Sequence, residues 1–144
     1  MFVTQILNGK ATKGVLTIDP KASVADAVAE LAARRIGALV VSSDGRRAEG
    51  ILSERDIVRE MGRDGPAALD RTVGDMMTRN VQVAAPGEDA QSVLGRMTEG
   101  RFRHMPIEED GLLVGLISLG DVVKARLQEV SMEKDALEGM IKGY

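Results

Sequence analysis

The 144-residue chain has no cysteine, a single histidine (His104) and only three aromatic residues, Phe2, Phe102 and Tyr144. The missing cysteines exclude disulfides, thiolate zinc sites and cysteine nucleophiles. One histidine excludes a His-pair metal site and a chain of histidine proton relays, and His104 lacks any partner for a His-mediated triad. With so few aromatic faces, a flat ligand has to be held between aliphatic side chains, and the stacking platforms of many nucleic-acid binders are absent. No run approaches the roughly 18–20 apolar residues of a membrane span. The stretch from Met1 to Gly14 is interrupted by Asn8, Lys10 and Lys13, so it lacks the apolar centre of a signal peptide, and a cytoplasmic address is expected. Neither G-x-x-x-x-G-K-[ST] nor G-x-G-x-x-G occurs. The charge balance is equally unassertive: 19 Lys and Arg against 22 Asp and Glu, a net −3. Nucleic acid and anionic membrane are poor partners for it.

What the chain does have is a repeat. Pro20 leads into Ser23 and the apolar positions Val24, Ala27, Val28 and Leu31; Pro86, 66 positions later, leads into Asp89 and Ala90, Val93, Leu94 and Met97. Both sets follow the i, i+3, i+4, i+7 spacing of an amphipathic helix, and Ser23 with Asp26 reads as a capping box. A short apolar run follows each helix, Ile36 to Val41 and Met105 to Ile107. Each run meets an Asp-Gly turn, Asp44-Gly45 or Asp110-Gly111, and then a second strand from Gly50 or Gly115. Both second strands run into Ser-x-x-Asp and a further helix, at Ser53 to Asp56 and Ser118 to Asp121. The segment Val73 to Met77 echoes Val3 to Leu7 as a lead-in to each repeat. This predicts an α/β (α+β) fold of two βαββα units related by a pseudo-twofold axis, each of about sixty residues and marginal alone. The expected boundaries are a first repeat with lead-in at 1–62, a connector at 63–72, a second repeat at 73–128 and a helical extension at 129–144.

The repeated Ser-x-x-Asp is the most informative pattern, and two readings stay open. It places a hydroxyl and a carboxylate on the first turn after a strand, where free amides can hold an anion, the carboxylate can accept from adjacent ribose hydroxyls, and Arg55 adds a phosphate-binding fork. It is equally a helix capping box. The second cluster, Arg101, Phe102, Arg103, His104, brings three potentially cationic groups to the start of a strand, either as a polyphosphate site or as surface charge beside a structural histidine. Its counterpart Ile36, Gly37, Ala38 carries no charge, so two clefts would be chemically unequal. The eight methionines read as core filler.

With TIDP, RIGALVV and GILSERDIV in one half and RFRHMPI and GLISLGDVV in the other, the chain resembles a tandem pair of CBS domains (cystathionine-β-synthase domains) from Val3 to about Leu127. The resemblance implies clefts between the repeats for an adenine nucleotide (AMP, ADP, ATP or NAD) or for S-adenosylmethionine, as a ligand and with no catalytic cofactor. By matching, Asp56 and Asp121 are the ribose aspartates, with Ser53 and Ser118 at the hydroxyl position. Arg55, Arg103 and His104 meet phosphate, followed by Met105 and Pro106. Thr17 and Ile18 line the adenine pocket, with Ile36, Gly37 and Ala38 nearby; Val83 and Gly120 complete the expected set. Ala84 and Ala85 stand where the family often has a threonine, and Gly120 where the first repeat has Arg55.

The expected function is a regulatory sensor of adenine nucleotides, not an enzyme, because the site residues offer binding groups but no base and nucleophile pair. The alternative is a structural dimerisation module with vestigial clefts. A homodimer is expected, paired through surplus apolar positions on the helices starting at Glu54 and Asp89 with the C-terminal helix as a further seam, and acting on an effector protein not encoded in the chain. Phosphate recognition is expected to be lopsided, with the Ser118–Asp121 cleft indifferent to phosphate because Gly120, Gly37 and Ala38 supply no cation.

Overall fold

The structure is a computed structural model that describes residues 1–10 and 14–143; Lys13 and Tyr144, named above, lie outside them. The elements run α1 (Val3–Asn8), β1 (Thr17–Ile18), α2 (Val24–Arg34), β2 (Ala38–Val41), β3 (Gly50–Ser53), α3 (Glu54–Asp64), a 3-10 helix (Gly65–Asp70), α4 (Val73–Met76), α5 (Ala90–Gly100), β4 (His104–Glu109), β5 (Leu112–Ser118) and α6 (Leu119–Lys142). In one sheet β1 lies parallel to β2, and β2 antiparallel to β3. In the other, β4 and β5 form an antiparallel pair, with Ala84 bridged parallel to Ile107 where the first sheet has β1.

The repeat reading holds at the level of helix chemistry. Ser23 accepts the Asp26 amide (3.0 Å) to start α2, and Asp89 accepts the Ser92 amide (2.7 Å) to start α5. Their buried faces match in spacing, Val24, Ala27 and Leu31 against Ala90, Val93 and Met97. α3 and α6 begin at Glu54 and Leu119, directly after their capping serines and three residues ahead of the apolar pairs that mark them in the sequence.

Each lead-in packs on the other repeat. Val3 and Ile6 of α1 join the core of Val93, Met97, Met105, Ile107 and Ile117, whereas Val73, Met76 and Met77 join that of Val24, Leu31, Leu39, Leu52 and Ile57. Two backbone bridges fasten the exchange. Val3 N donates to Glu88 O and Ala90 N to Met1 O, both at 2.8 Å; Val24 N donates to Arg71 O (2.9 Å) and Val73 N to Ala22 O (2.8 Å). The chain then crosses again as Thr78 bonds both ways with Ile51 of β3 (2.8 and 3.0 Å).

The connector is helical: α3 continues through Gly62 to Asp64, the 3-10 helix follows with Pro66 in its first turn, and Ala68 is fully buried. One expectation changes. Only the second hairpin has a tight Asp-Gly turn, with both Asp110 (φ 53°) and Gly111 (φ 77°) left-handed. In the first, β2 ends at Val41 and β3 begins at Gly50. There the Asp44 carboxylate accepts the Arg46 (2.8 Å) and Arg47 (3.0 Å) amides and the Ser42 hydroxyl, which closes a longer loop.

The crossing fixes a glycine. A Cβ on Gly50 would lie 2.6 Å from the Thr78 carbonyl and 2.8 Å from Met77 Sδ, whereas one on Gly62, inside α3, would meet nothing within 4 Å. Gly50→Ala should therefore destabilise by about 1–3 kcal/mol through overpacking against backbone. Gly62→Ala should stabilise by up to about 1 kcal/mol through helix propensity. Urea midpoints of the two variants check this; a Gly50→Ala midpoint equal to the parent's would show that the crossing has room to give.

Candidate functional site

Exchange of the lead-ins leaves two clefts on the molecule, each walled by both repeats. One, of about 930 Å³, opens over the start of α3 and is lined by Ser53, Arg55 and Asp56, by Thr78, Asn80, Val81 and Gln82 of the second lead-in, and by Arg101 to His104. We call it the arginine cleft. The other, of about 950 Å³, opens over the start of α6 and is lined by Ser118, Asp121 and Lys124, by Lys10, Val15 and Leu16 of the first lead-in, and by Arg34 to Ala38. We call it the lysine cleft.

Both Ser-x-x-Asp segments form complete capping boxes. The Ser53 hydroxyl accepts the Asp56 amide (3.3 Å) while Asp56 Oδ2 accepts the Ser53 amide and hydroxyl (both 3.0 Å). Asp56 Oδ1 takes a further bond from Arg59 Nη2 (3.1 Å). The Arg59 side chain is 64% exposed, so this ion pair contributes at most about 1 kcal/mol and yields readily to a better donor. In the second box, Asp121 Oδ2 accepts the Ser118 amide (2.9 Å) and Lys10 Nζ (2.9 Å), and the same ammonium donates to Leu116 O (2.8 Å). Burial opposes ionisation of Asp121, but the Ser118 amide and Lys10 outweigh it and hold the carboxyl below its ordinary value. The capping reading is thus satisfied in both places, and each carboxylate still lines a cleft.

Donors converge on the arginine cleft from both repeats: Arg55 from α3, and Arg101, Arg103 and His104 from the start of β4. The lysine cleft is not the uncharged counterpart that the positions of Gly120, Gly37 and Ala38 suggest. Lys10, Arg34, Arg35 and Lys124 line it, contributed by elements outside that comparison. Arg35 and Arg101 close α2 and α5 in left-handed backbone (φ 54° and 55°), a conformation costing an L-residue about 1–2 kcal/mol. This strain sits at the two cleft walls.

The clefts meet at one contact. His104 lines both, and its imidazole Cε1 and Nε2 lie 3.4 Å from where a Gly37 Cβ would stand, with Glu54 Oε1 at 3.5 Å from the same point. A methyl group on residue 37 would stand in ordinary van der Waals contact with the ring.

Of the residues matched to the family's site, Ser53, Arg55, Asp56, Arg103 and His104 come together in the arginine cleft, and Ile36, Gly37, Ala38, Ser118, Asp121 and His104 in the lysine cleft. The others are placed elsewhere. Thr17 and Ile18 pair with Val40 and Val41 as β1, and the cleft wall beside them is Val15 and Leu16. Val83 gives its carbonyl to Arg96 Nη2 (2.7 Å), and Val81 and Gln82 face the cleft instead. Met105 and Pro106 are buried, Met105 in the second core, and Gly120 is an exposed residue of the first α6 turn. Residue matching missed Lys10 and Asn80. Extending the echo of Val3–Leu7 by Val73–Met77 three residues further pairs these two and marks both as lining positions.

His104 gives the fold an acid limb. Burial first, then the Arg103 guanidinium, lower its pKa below the ordinary imidazole value. As pH falls through about 6.5, the unfolded chain takes up a proton that the folded one refuses, so stability declines until the folded midpoint is reached. As the chain's single histidine, it dominates that window. His104→Asn should flatten the difference in urea midpoint between pH 7.5 and pH 5.5; an unaltered difference would assign the acid sensitivity to other groups.

Comparison with known proteins gives this geometry a family. The family model for the CBS domain matches twice, over residues 3–63 and 73–128. The crystal structure of the CBS-domain-containing protein ATU1752 from Agrobacterium tumefaciens superposes with a TM-score of 0.83 at 41% identity, covering 88% of this chain and 99% of that one. A mitochondrial CBS domain-containing protein of Arabidopsis thaliana, CBSX3, is 34% identical over 84% of this chain, which spans 61% of that protein's length. At 22% identity and a TM-score of 0.78, covering 90% of this chain and 98% of the other, the same fold occurs in the CBS domain pair of protein MJ0100, solved in complex with 5'-methylthioadenosine and S-adenosyl-L-methionine. With one match on each of the two interlocked repeats, the chain belongs to the CBS-domain family as a tandem pair.

Proposed function

We propose that this CBS pair is a regulatory sensor that binds an adenine nucleotide, of the AMP, ADP, ATP or NAD kind, with its phosphate in the arginine cleft, and passes occupancy on through lobe arrangement or assembly. The observation that carries this is convergence: Asp56 from one repeat faces Arg103 and His104 from the other across a cleft that also holds Arg55. A ribose diol suits the carboxylate, once Arg59 is displaced, and a phosphate suits the cations, which form stronger hydrogen bonds to it than neutral donors do. The apolar wall of Ile51, Val58, Val81 and Phe102 offers surfaces between which an adenine can be held. That MJ0100 was solved with two adenosyl ligands supports the ligand class and keeps S-adenosylmethionine in the test panel.

The lysine cleft differs in its electrostatics: Lys10 pairs with Asp121 through Oδ2, the oxygen already used by the cap. The rival reading, a dimerisation module with vestigial clefts, draws on the two completed capping boxes, which account for Ser53, Asp56, Ser118 and Asp121 without any ligand. Self-association is common to both readings. The exposed apolar surface differs from helix to helix: α5 carries none of the exposed large apolar side chains among the described residues and α3 only Val58, while six lie on α6 from Leu127 onward.

Thermal melts with AMP, ADP, ATP, NAD and S-adenosylmethionine separate the readings, since a ligand at a hundred times its Kd adds about 2.7 kcal/mol. A vestigial module shifts with none of them. For the best ligand, Asp56→Ala should cost about 1.5–3 kcal/mol of binding, the range for hydrogen bonds to a charged group. Loss of the cap will also lower the melting midpoint by its own cost of about 1 kcal/mol, so calorimetry is done below that midpoint. Arg55→Ala should weaken AMP while leaving adenosine nearly unchanged. Equal losses of both ligands would place the guanidinium outside phosphate recognition and overturn the assignment.

A further inference from the structure

The two clefts have a single titratable side chain in common. Among the described residues only Gly37 and His104 line both, and Gly37 has no side chain. The ring is placed by β4: His104 pairs with Ser118 at the start of the second sheet, and its Cε1 and Nε2 lie 3.4 Å from where a Cβ on Gly37 of the first repeat would stand. Charges from both clefts surround it there. Glu54 faces it from the first turn of α3, Asp121 from the first turn of α6, Lys10 from the first lead-in and Arg103 from its own segment. Polar atoms of largely buried side chains are ordinarily hydrogen-bonded. Among the described residues neither nitrogen of this ring is bonded, and neither is sealed from solvent. Both are left for whatever enters the clefts, and only the protonated ring can donate from both at once.

We propose that His104 is one proton site shared by two anion sites: a phosphate in either cleft draws a proton onto the ring, and the imidazolium so formed strengthens anion binding in the other. The proposal rests on the nucleotide reading for the arginine cleft and extends phosphate recognition to the lysine cleft, where Lys10, Arg34, Arg35 and Lys124 outnumber Asp121. In the empty protein, burial and then Arg103 hold the ring neutral near pH 7. An opposite charge within about 4–6 Å shifts a pKa toward the charged form by about 1–3 units. Between the empty and occupied midpoints, binding takes up a proton. Affinity therefore rises as pH falls through the occupied midpoint and levels off below the empty one. The factor by which phosphate strengthens proton binding is the factor by which the proton strengthens phosphate binding. Sharing makes the two occupancies interdependent. The first anion bears the cost of charging a half-buried ring, the second finds it charged, and the proton offsets the repulsion between them.

A single histidine gives a single imidazole Cε1–H resonance, so proton NMR titration of the full chain reads this pKa directly. At constant ionic strength, saturating AMP and saturating inorganic pyrophosphate should each raise the midpoint by about one unit or more, and adenosine should leave it in place. A midpoint unmoved by AMP that calorimetry shows to be bound, an equal rise with adenosine, or no rise with pyrophosphate overturns the switch and leaves the nucleotide reading standing. A rise with pyrophosphate while AMP does not bind keeps the switch and sinks that reading. Sharing is tested with Arg55→Ala, which weakens one cleft, and Lys124→Ala, which weakens the other. Under saturating pyrophosphate each single variant should keep the rise and the double variant should lose most of it. A rise abolished by one variant alone ties the ring to one cleft, and a rise undiminished in the double variant places the anion elsewhere; either overturns the sharing. For AMP, the affinity of the parent relative to His104→Asn should grow about tenfold from pH 8 to pH 5.5, a ratio from which the titration of the ligand's own phosphate near pH 6 cancels. A ratio independent of pH overturns the linkage.

Discussion

Two reciprocal backbone bridges, Phe2 with Asp89 and Ser23 with Thr72, carry the rest of the architecture. Each ties the start of one lead-in to the helix cap of the opposite repeat, and each inserts two apolar side chains, Val3 and Ile6 or Val73 and Met76, into a core that is not its own. A lobe of about sixty residues is short of buried surface by itself, and the exchange makes the two lobes one cooperative unit. The clefts are a by-product of the same exchange. A lead-in that has to travel from the far core back to its own first strand passes the Ser-x-x-Asp turn on the way, so Lys10 and Asn80 are delivered to the clefts by topology rather than by local sequence.

The Ser-x-x-Asp turn therefore has two employments that share atoms. As a cap, it satisfies amides that would otherwise be orphaned at a helix start close to the interior. As part of a cleft, it presents a carboxylate whose backbone-facing oxygen is already committed, leaving the other for outside donors. In the arginine cleft that second oxygen is met by the exposed Arg59, and in the lysine cleft the ammonium of Lys10 shares the committed one. Such side-chain donors keep an ionised carboxylate solvated by protein. The completeness of the caps argues neither for nor against ligand binding, because a cap and a diol contact use different lone pairs of one group.

Much of this was legible in the sequence because it is local. Helical spacing marked α2 and α5, the serine caps marked three helix starts, and the duplication of Ser-x-x-Asp marked both cleft floors. What was not legible depends on sequence-distant pairing. Lys10 reads as one more charge in a polar stretch until its distance to Asp121 is known. Thr17 and Ile18 sit in the β1 ladder and Val83 gives its carbonyl to Arg96, and which face such residues present depends on strand register, because a strand alternates its faces. Asp44-Gly45 has the dipeptide of a tight turn, yet the neighbouring Ser42, Arg46 and Arg47 gave Asp44 enough partners to organise a longer loop. On α5 the exchange takes up Val93 and Met97, whereas Val58 of α3 stays exposed.

The surplus instead lies along α6, and its position matters for how the molecule could report a ligand. α6 begins as the floor of the lysine cleft, with Asp121 and Lys124 in its first turns, and ends on the apolar stripe roughly 36 Å away, at 1.5 Å per residue over its 24 residues. A single rigid element thus joins a charged pocket to an uncovered face. Lys124 belongs to both, lining the cleft and flanking the stripe. Energetic coupling between two such sites requires that occupancy of one change the free energy of the other, and it is reciprocal by thermodynamic necessity.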